Sequence, residues 1–341
     1  MKILIKKTAV FIGTKEAISN AYSDEIKEKL FEKLDFIHGE FDKAYFSDEN
    51  ADLGIFENAE YIFSTWGMIA PDAHTVKRIF PSLKAIFYAA GTVREFAVPF
   101  FDCGVKIFSA WGANAVPVAE FTVSQILLAN KGYFQTLHRG GSLSWSEKNN
   151  GMPYPGNFDT NIGIIGAGMI GTLVINELKK HRLNVYVYDP FLSEDKAREL
   201  GVIKTDSLPF LFENCQTVSN HLANNAQTVN MIDKTCFDKM PANGVFINTG
   251  RGQQVVEADM IDALKEKPSR AALLDVTYPE PPEKESELYS LPNVFLSPHI
   301  AGSLGSEVQR MGEYMCEEYL RFERGEKCRW EVSREMLKTM A

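Results

Sequence analysis

Asn161-Ile-Gly-Ile-Ile-Gly-Ala-Gly-Met-Ile-Gly171 decides how this chain is read. Ile162 to Ile165 is an apolar run of strand length, and Ile170, Leu173, Val174 and Leu178 then recur at helical spacing. Between them lies Gly-x-Gly-x-x-Gly, a pattern that means little alone among 24 glycines but much between a strand and a helix. Gly166 makes the tight turn, Gly168 lets the backbone approach a pyrophosphate, and Gly171 lets helix and strand pack closely. The helix start offers free N–H groups and a positive dipole end to phosphates near Met169 and Ile170. Asp189 ends the next apolar run, Asn184-Val-Tyr-Val-Tyr188. A carboxylate there accepts from ribose hydroxyls and repels a 2′-phosphate, so the expected cofactor is NAD rather than NADP.

Working outward, Thr217-Val-Ser219, Gly244-Val-Phe-Ile-Asn248, Arg270-Ala-Ala-Leu-Leu274 and Val294-Phe-Leu-Ser297 alternate with helical segments, giving six strands for this sheet. Upstream, Ala9–Ile12, Tyr61–Phe63, Lys84–Tyr88 and Val105–Phe108 read as buried strands, and Ser23–Leu34 and Ala73–Phe80 as helices. Strands alternating with helices imply parallel sheets covered on both faces. The expected fold class is therefore α/β with two doubly wound parallel-sheet domains, and 341 residues exceed what one core usually organises. Pro117 is expected at the first position of a buried helix reaching about 138, with a loop over 140–161 after it. An amphipathic helix over Ser306–Glu323 should pack back on the first domain, because its apolar stripe needs cover.

Apolar residues make up 45% and charged residues 24%, ordinary for a globular chain. A net charge of −9 leaves no cationic excess for phosphate backbones or anionic lipid, so nucleic-acid and membrane partners are not expected. An anionic substrate then has to be met by a local cation. The Met1–Lys7 segment is too short in apolar residues for a secretory leader and no later run spans a bilayer, so a cytoplasmic location is expected. Five cysteines without a C-x-x-C pair fit reduced thiols better than a disulfide frame, and no metal site is expected.

Three residues carry the chemistry. Arg251, in Asn248-Thr-Gly-Arg-Gly252, follows a strand at the sheet edge where α/β folds bind ligands, and a guanidinium there can fork onto a carboxylate. His299, in Pro298-His-Ile-Ala-Gly302, also follows a strand and suits a proton donor working near neutrality. Glu280, in Tyr278-Pro-Glu-Pro-Pro282, can hold the other imidazole nitrogen and favour its charged form. Alone, each reads as an ordinary solvated residue. Their common place past strands of one sheet makes them a set.

Those residues, with Gly91-Thr-Val93, Val118-Ala-Glu120 and Asp275-Val-Thr-Tyr-Pro-Glu-Pro281, resemble the D-isomer-specific 2-hydroxyacid dehydrogenase family over nearly the whole chain. Its glycerate/hydroxypyruvate reductase and phosphoglycerate dehydrogenase-like branches are nearest in wording. The resemblance implies a flavodoxin-like substrate-binding domain (1–113 and 303–341) interrupted by a Rossmann NAD-binding domain (114–302), and a homodimer formed through the NAD-binding domains. It implies an NAD-dependent enzyme interconverting a small 2-oxo acid and its D-2-hydroxy acid. Catalytic roles fall on Arg251, Glu280 and His299; cofactor contacts include Arg251 and His299 themselves and extend to Thr249, Gly250, Asp275 (on the carboxamide) and Ala223. The substrate carboxylate is met by Arg251 and the turn Ala90, Gly91, Thr92 and Val93, with Trp66 as a pocket wall and Arg94 as a possible second cation.

Departures from the pattern are informative. Gly250 stands where Ala or Ser is usual, and Ala223 and Asn225 stand where Pro and Thr are common, local changes that predict a looser cofactor cradle at most. Ser64-Thr-Trp66 lacks the arginine that phosphoglycerate dehydrogenases carry, and with no regulatory domain expected after 341, 3-phosphoglycerate is disfavoured. Glu280 in place of Gln disfavours formate dehydrogenase. A non-catalytic NADH-sensing corepressor of the same family would keep every motif and is the alternative; the short stretch after the last helix argues against it.

Overall fold

The computed structural model describes residues 6–138 and 153–338. The chain divides into two compact units, Met1–Asn114 with Ser303–Ala341, and Ala115–Gly302.

The first unit is built on a five-stranded parallel sheet: β1 (Lys7–Ile12), β2 (Leu34–Ile37), β3 (Ala59–Ser64), β4 (Ala85–Tyr88) and β5 (Lys106–Ser109), in the order β2-β1-β3-β4-β5. Every residue of β4 is buried, as a strand covered on both faces requires. The expected helix Ser23–Leu34 is shorter, Asp24–Phe31, with Ser23 as its cap accepting from the Ile26 N–H. Leu34 instead opens β2, an edge strand whose buried-exposed-buried alternation hid inside the amphipathic stretch. The helix Glu307–Glu323 lies on this sheet: Met311, Met315 and Tyr319 share a core with Phe63 and Phe87. Gly312 is what allows the approach, since a Cβ there would meet the Ala21 carbonyl oxygen at 2.0 Å.

One expectation is overturned. The helix Trp111–Ala129 begins six residues before Pro117, which sits inside it rather than at its first position. Small residues at Ala113 and Ala115 let the turn start directly from the end of β5, where the Asn114 N–H already reaches the Ala110 carbonyl. The helix also stops at Ala129, because Gly132 takes a left-handed conformation (φ +68°), and a separate helix, Tyr133–His138, follows. Most of the loop expected over 140–161 lies outside the described residues.

The second unit holds seven parallel strands: β6 (Thr160–Ile165), β7 (Leu183–Tyr188), β8 (Ile203–Thr205), β9 (Thr217–Asn220), β10 (Val245–Asn248), β11 (Ala271–Leu274) and β12 (Val294–Leu296). Their order is β12-β11-β10-β9-β6-β7-β8. The seventh strand, β8, escapes sequence reading because it is a three-residue edge strand with Ile203 exposed. Winding reverses between β6 and β9, so the crevice at their C-terminal ends is a topological switch point, where doubly wound sheets bind ligands. No helix among the described residues is long and apolar enough to cross a membrane.

Candidate active site

The turns that leave the C-terminal edge of the second sheet are held by several different devices. After β6, Gly166 takes φ +88° and its N–H reaches the Tyr188 carbonyl at 2.8 Å. A Cβ on Gly166 would meet the His221 carbonyl oxygen at 3.0 Å, and one on Gly171 the Gly166 oxygen at 2.0 Å. Gly168 has nothing within 4 Å of such a Cβ and caps the helix Met169–Leu178 without any side-chain bond. The first N–H groups of that helix therefore have no side-chain cap, and the space above Gly168 is open, which fits a dinucleotide phosphate. Asp189, at the end of β7, accepts from the Ala167 N–H at 2.7 Å and the Phe191 N–H at 2.8 Å, fixing its carboxylate against the glycine turn.

After β9, the buried His221 has Nε2 3.0 Å from Ser219 Oγ, and burial pushes its pKa down to about 3. The next residues do not show the looseness expected from their missing proline. Thr228 Oγ1 donates to the Ala223 carbonyl at 2.7 Å, Gln254 Nε2 donates to the same oxygen at 3.0 Å, and Asn224 Nδ2 donates to Gln253 Oε1 at 2.9 Å. A hydroxyl and two side-chain amides tie down what a proline ring would otherwise have stiffened.

After β10, Thr249 and Gly250 are buried and Arg251 is half-buried. The Arg251 guanidinium donates through Nη1 to the Gly250 carbonyl at 2.7 Å. Burial pulls its pKa below the ordinary value while the charge of Glu280 pushes the other way. Thr249 Oγ1 lies 3.2 Å from Thr122 Oγ1. Gly252 sits flush on the loop that carries Glu280: a Cβ there would meet the Thr277 carbonyl carbon at 2.0 Å.

The turns after β11 and β12 are joined by one buried carboxylate. Asp275 accepts from Ser297 Oγ at 2.6 Å and from the N–H groups of Ile300 and Ala301 at 2.9 Å each. Its carbonyl also takes the His299 N–H at 3.0 Å. Three acceptor positions of the residue expected on the cofactor carboxamide are thus occupied by the loop carrying His299. That loop needs holding, because His299 has φ +55°, a left-handed backbone that costs a non-glycine residue about 1–3 kcal/mol. The result is a direct pair: His299 Nδ1 lies 2.5 Å from Glu280 Oε1, both side chains partly exposed. His299 Nε2 has no protein partner among the described residues. An imidazole held by a carboxylate at one nitrogen and open at the other is arranged to pass a proton.

The structure brings Arg251, Glu280 and His299 together on one unit. In the other unit, the turn after β4 is stiffened from below: Ser109 Oγ donates to the carbonyls of Ala90 and Gly91, and Val93 accepts from Phe96 and Ala97. Trp66, after β3, is 47% exposed, and Thr92 and Arg94 are also exposed. Sequence reading missed Asn220 and Gln254, two buried amides in contact with the Arg251 turn. Their only signal was a polar residue ending an apolar strand and a second glutamine after Arg251-Gly252.

Residues 123–301 match the family model described as "D-isomer specific 2-hydroxyacid dehydrogenase, NAD binding domain". The chain belongs to the D-isomer specific 2-hydroxyacid dehydrogenase family. It is 30% identical over 223 residues to a D-3-phosphoglycerate dehydrogenase of Archaeoglobus fulgidus, covering 65% of this chain and 42% of that one. It is 34% identical over 169 residues to a glyoxylate reductase of Korarchaeum cryptofilum, covering 50% and 51%. The chain thus spans about half the length of the curated relatives it matches. A phosphoglycerate oxidoreductase from Rhizobium etli has the same fold, with a TM-score of 0.79 at 22% identity over 97% of this chain and all of that one.

Proposed function

We propose that this protein is an NAD-dependent D-2-hydroxyacid dehydrogenase acting on a small 2-oxo or 2-hydroxy acid. The observation that carries the reading is the 2.5 Å His299–Glu280 pair, in the same unit as the half-buried Arg251 and an open glycine turn. Gly166, Gly168, Met169, Ile170 and Gly171 would hold the pyrophosphate, and Asp189 the adenosine ribose, with preference for NAD over NADP. NADH, when bound, supplies the hydride to the carbonyl carbon of the acid. Arg251 forks onto the substrate carboxylate, and its limited hydration strengthens that charge pairing. His299 donates the proton from Nε2 to the oxygen that gains negative charge, and Glu280 stabilises the imidazolium before transfer and fixes the tautomer after it. In the oxidative direction His299 takes that proton as base. We assign the Ala90–Val93 turn and Trp66 to substrate binding, and infer a cytoplasmic homodimer joined through the NAD-binding units.

His299→Ala tests the reading. Turnover, followed by NADH absorbance against a panel of 2-oxo acids, should fall roughly 10²–10⁴-fold, while NADH affinity measured by fluorescence stays near wild type. Unchanged turnover rejects His299 as the proton donor. NADH binding without turnover on any acid of the panel replaces the enzyme with an NADH-sensing protein.

A further inference from the structure

Three buried side-chain amides meet beside Arg251: Asn220 ends β9, Asn248 ends β10, and Gln254 closes the short helical turn Gly252–Gln254. Asn220 Nδ2 donates to Asn248 Oδ1 at 3.0 Å and to Gln254 Oε1 at 2.6 Å. On the substrate side of the cluster, Gln254 Oε1 accepts the Arg251 N–H at 3.2 Å, Asn248 Oδ1 accepts the Gly250 N–H at 3.0 Å, and Asn248 Nδ2 donates to the Arg251 carbonyl at 3.2 Å. On the cofactor side, Gln254 Nε2 donates to the carbonyls of Leu222 and Ala223 at 3.0 Å each, and Asn220 Oδ1 accepts the Leu222 N–H at 3.2 Å. All four hydrogen-bonding positions of Gln254 are filled. A buried polar network of this kind fixes one arrangement, because any shift strands an unpaired group in a poorly solvated interior.

Gly250 belongs to the same device. A Cβ at 250 would come within 2.9 Å of both Asn220 Nδ2 and Gln254 Oε1, so the alanine or serine usual at this position is incompatible with the amides where they stand. We propose that Asn220, Gln254 and Gly250 together position Arg251, locking the carboxylate-binding turn and the Leu222–Ala223 loop into one rigid piece. The three act through Arg251 and are positioning residues. The proposal rests on Arg251 being the carboxylate anchor, and it adds specificity: the cluster sets how strictly the enzyme demands a carboxylate beside the carbonyl it reduces.

The test compares a 2-oxo acid with its 2-oxo amide, which keeps the shape and removes the charge, in wild type, Gln254→Leu, Gly250→Ala and Arg251→Ala. Gln254→Leu is similar in volume and removes all four bonds; Gly250→Ala keeps the amide residues and forces them apart. Each should lower the acid-over-amide preference in kcat/KM by roughly tenfold or more, chiefly by raising KM for the acid. A merely structural role would lower thermal stability and reduce both substrates alike, leaving the preference within about twofold; that result overturns the proposal. Arg251→Ala separates the two levels. Loss of preference in Arg251→Ala but not in the cluster variants sinks the cluster's role alone, and an Arg251→Ala enzyme that keeps the preference sinks the anchor assignment beneath it.

Discussion

The turns after β6 and β10 leave the same edge of one sheet and are built on opposite means. Gly166–Gly171 works by lacking side chains: the helix reaches its strand because a Cβ on Gly171 has no room, and the backbone above Gly168 is bare. Asn248–Gln254 works by burying side chains, with three amides filling the space and dictating where Arg251 stands. The difference fits the ligand proposed for each. A pyrophosphate is met by backbone N–H groups, which only need exposing. A carboxylate is met by a long cationic side chain, which has to be pinned at its root before its tip can be aimed.

The glycine turn offers the largest effects. Gly171→Ala places a Cβ 2.0 Å from the Gly166 oxygen, and backbone cannot swing away as a side chain can. Overpacking of this kind costs about 1–3 kcal/mol, so NADH affinity should fall roughly 5–150-fold together with a loss of thermal stability. Gly168→Ala sharpens the point, because no protein atom stands within 4 Å of the added methyl. Its melting temperature should match wild type while NADH affinity falls. A Gly168→Ala protein that binds NADH normally would show that the dinucleotide does not approach this turn.

A turn of the third kind hangs on a buried charge. Asp275→Asn keeps the shape but sets an amide N–H₂ group against backbone N–H donors of the His299 loop, in place of an acceptor. An unpaired buried donor costs about 1–3 kcal/mol, enough to release His299 from its left-handed backbone and lower turnover about tenfold. NADH affinity should change less than turnover does. Equal losses in both would mean that Asp275 also meets the carboxamide, as the family resemblance implies.

How much was legible tracks how local each signal is. The glycine turn and Asp189 were readable because strand, turn and helix lie within about thirty consecutive residues, and central strands such as β4 and β10 because both faces are buried and the run is apolar up to its last residue. Edge strands β2 and β8 were not, since an edge needs no continuous apolar run. Pro117 misleads because its preference for a helix start says nothing of the small residues before it, which extend the helix upstream. Arg251, Glu280 and His299 were visible as polar groups after strands, but the 2.5 Å contact depends on Asp275 holding the His299 turn, a link across 26 residues at its widest. The amide cluster joins positions 34 residues apart that each pass for loop polarity, and only folding shows them sharing one buried site.

His221 lies where the two contrasted turns meet: Gly166 packs on its carbonyl, and its neighbours Asn220 and Leu222 bond within the amide cluster. Its imidazole is buried and neutral, with the pKa pushed down from 6.5 to about 3. The unfolded chain binds this proton below about pH 6.5 and the folded chain does not, so the contribution to stability is complete above that pH and is lost as pH falls toward 3. Between pH 6 and 4 the unfolding free energy should drop by up to ~1.4 kcal/mol per pH unit more than in His221→Leu, which has no such proton to exclude. Near neutrality the two proteins should share the same slope, which makes this the smallest effect at working pH. The measurement is denaturant unfolding of both proteins across that range. A constant difference from pH 7 to 4 would mean that His221 takes up its proton in the folded state, and that the junction between the glycine turn and the amide-held turn is wetter than its packing implies.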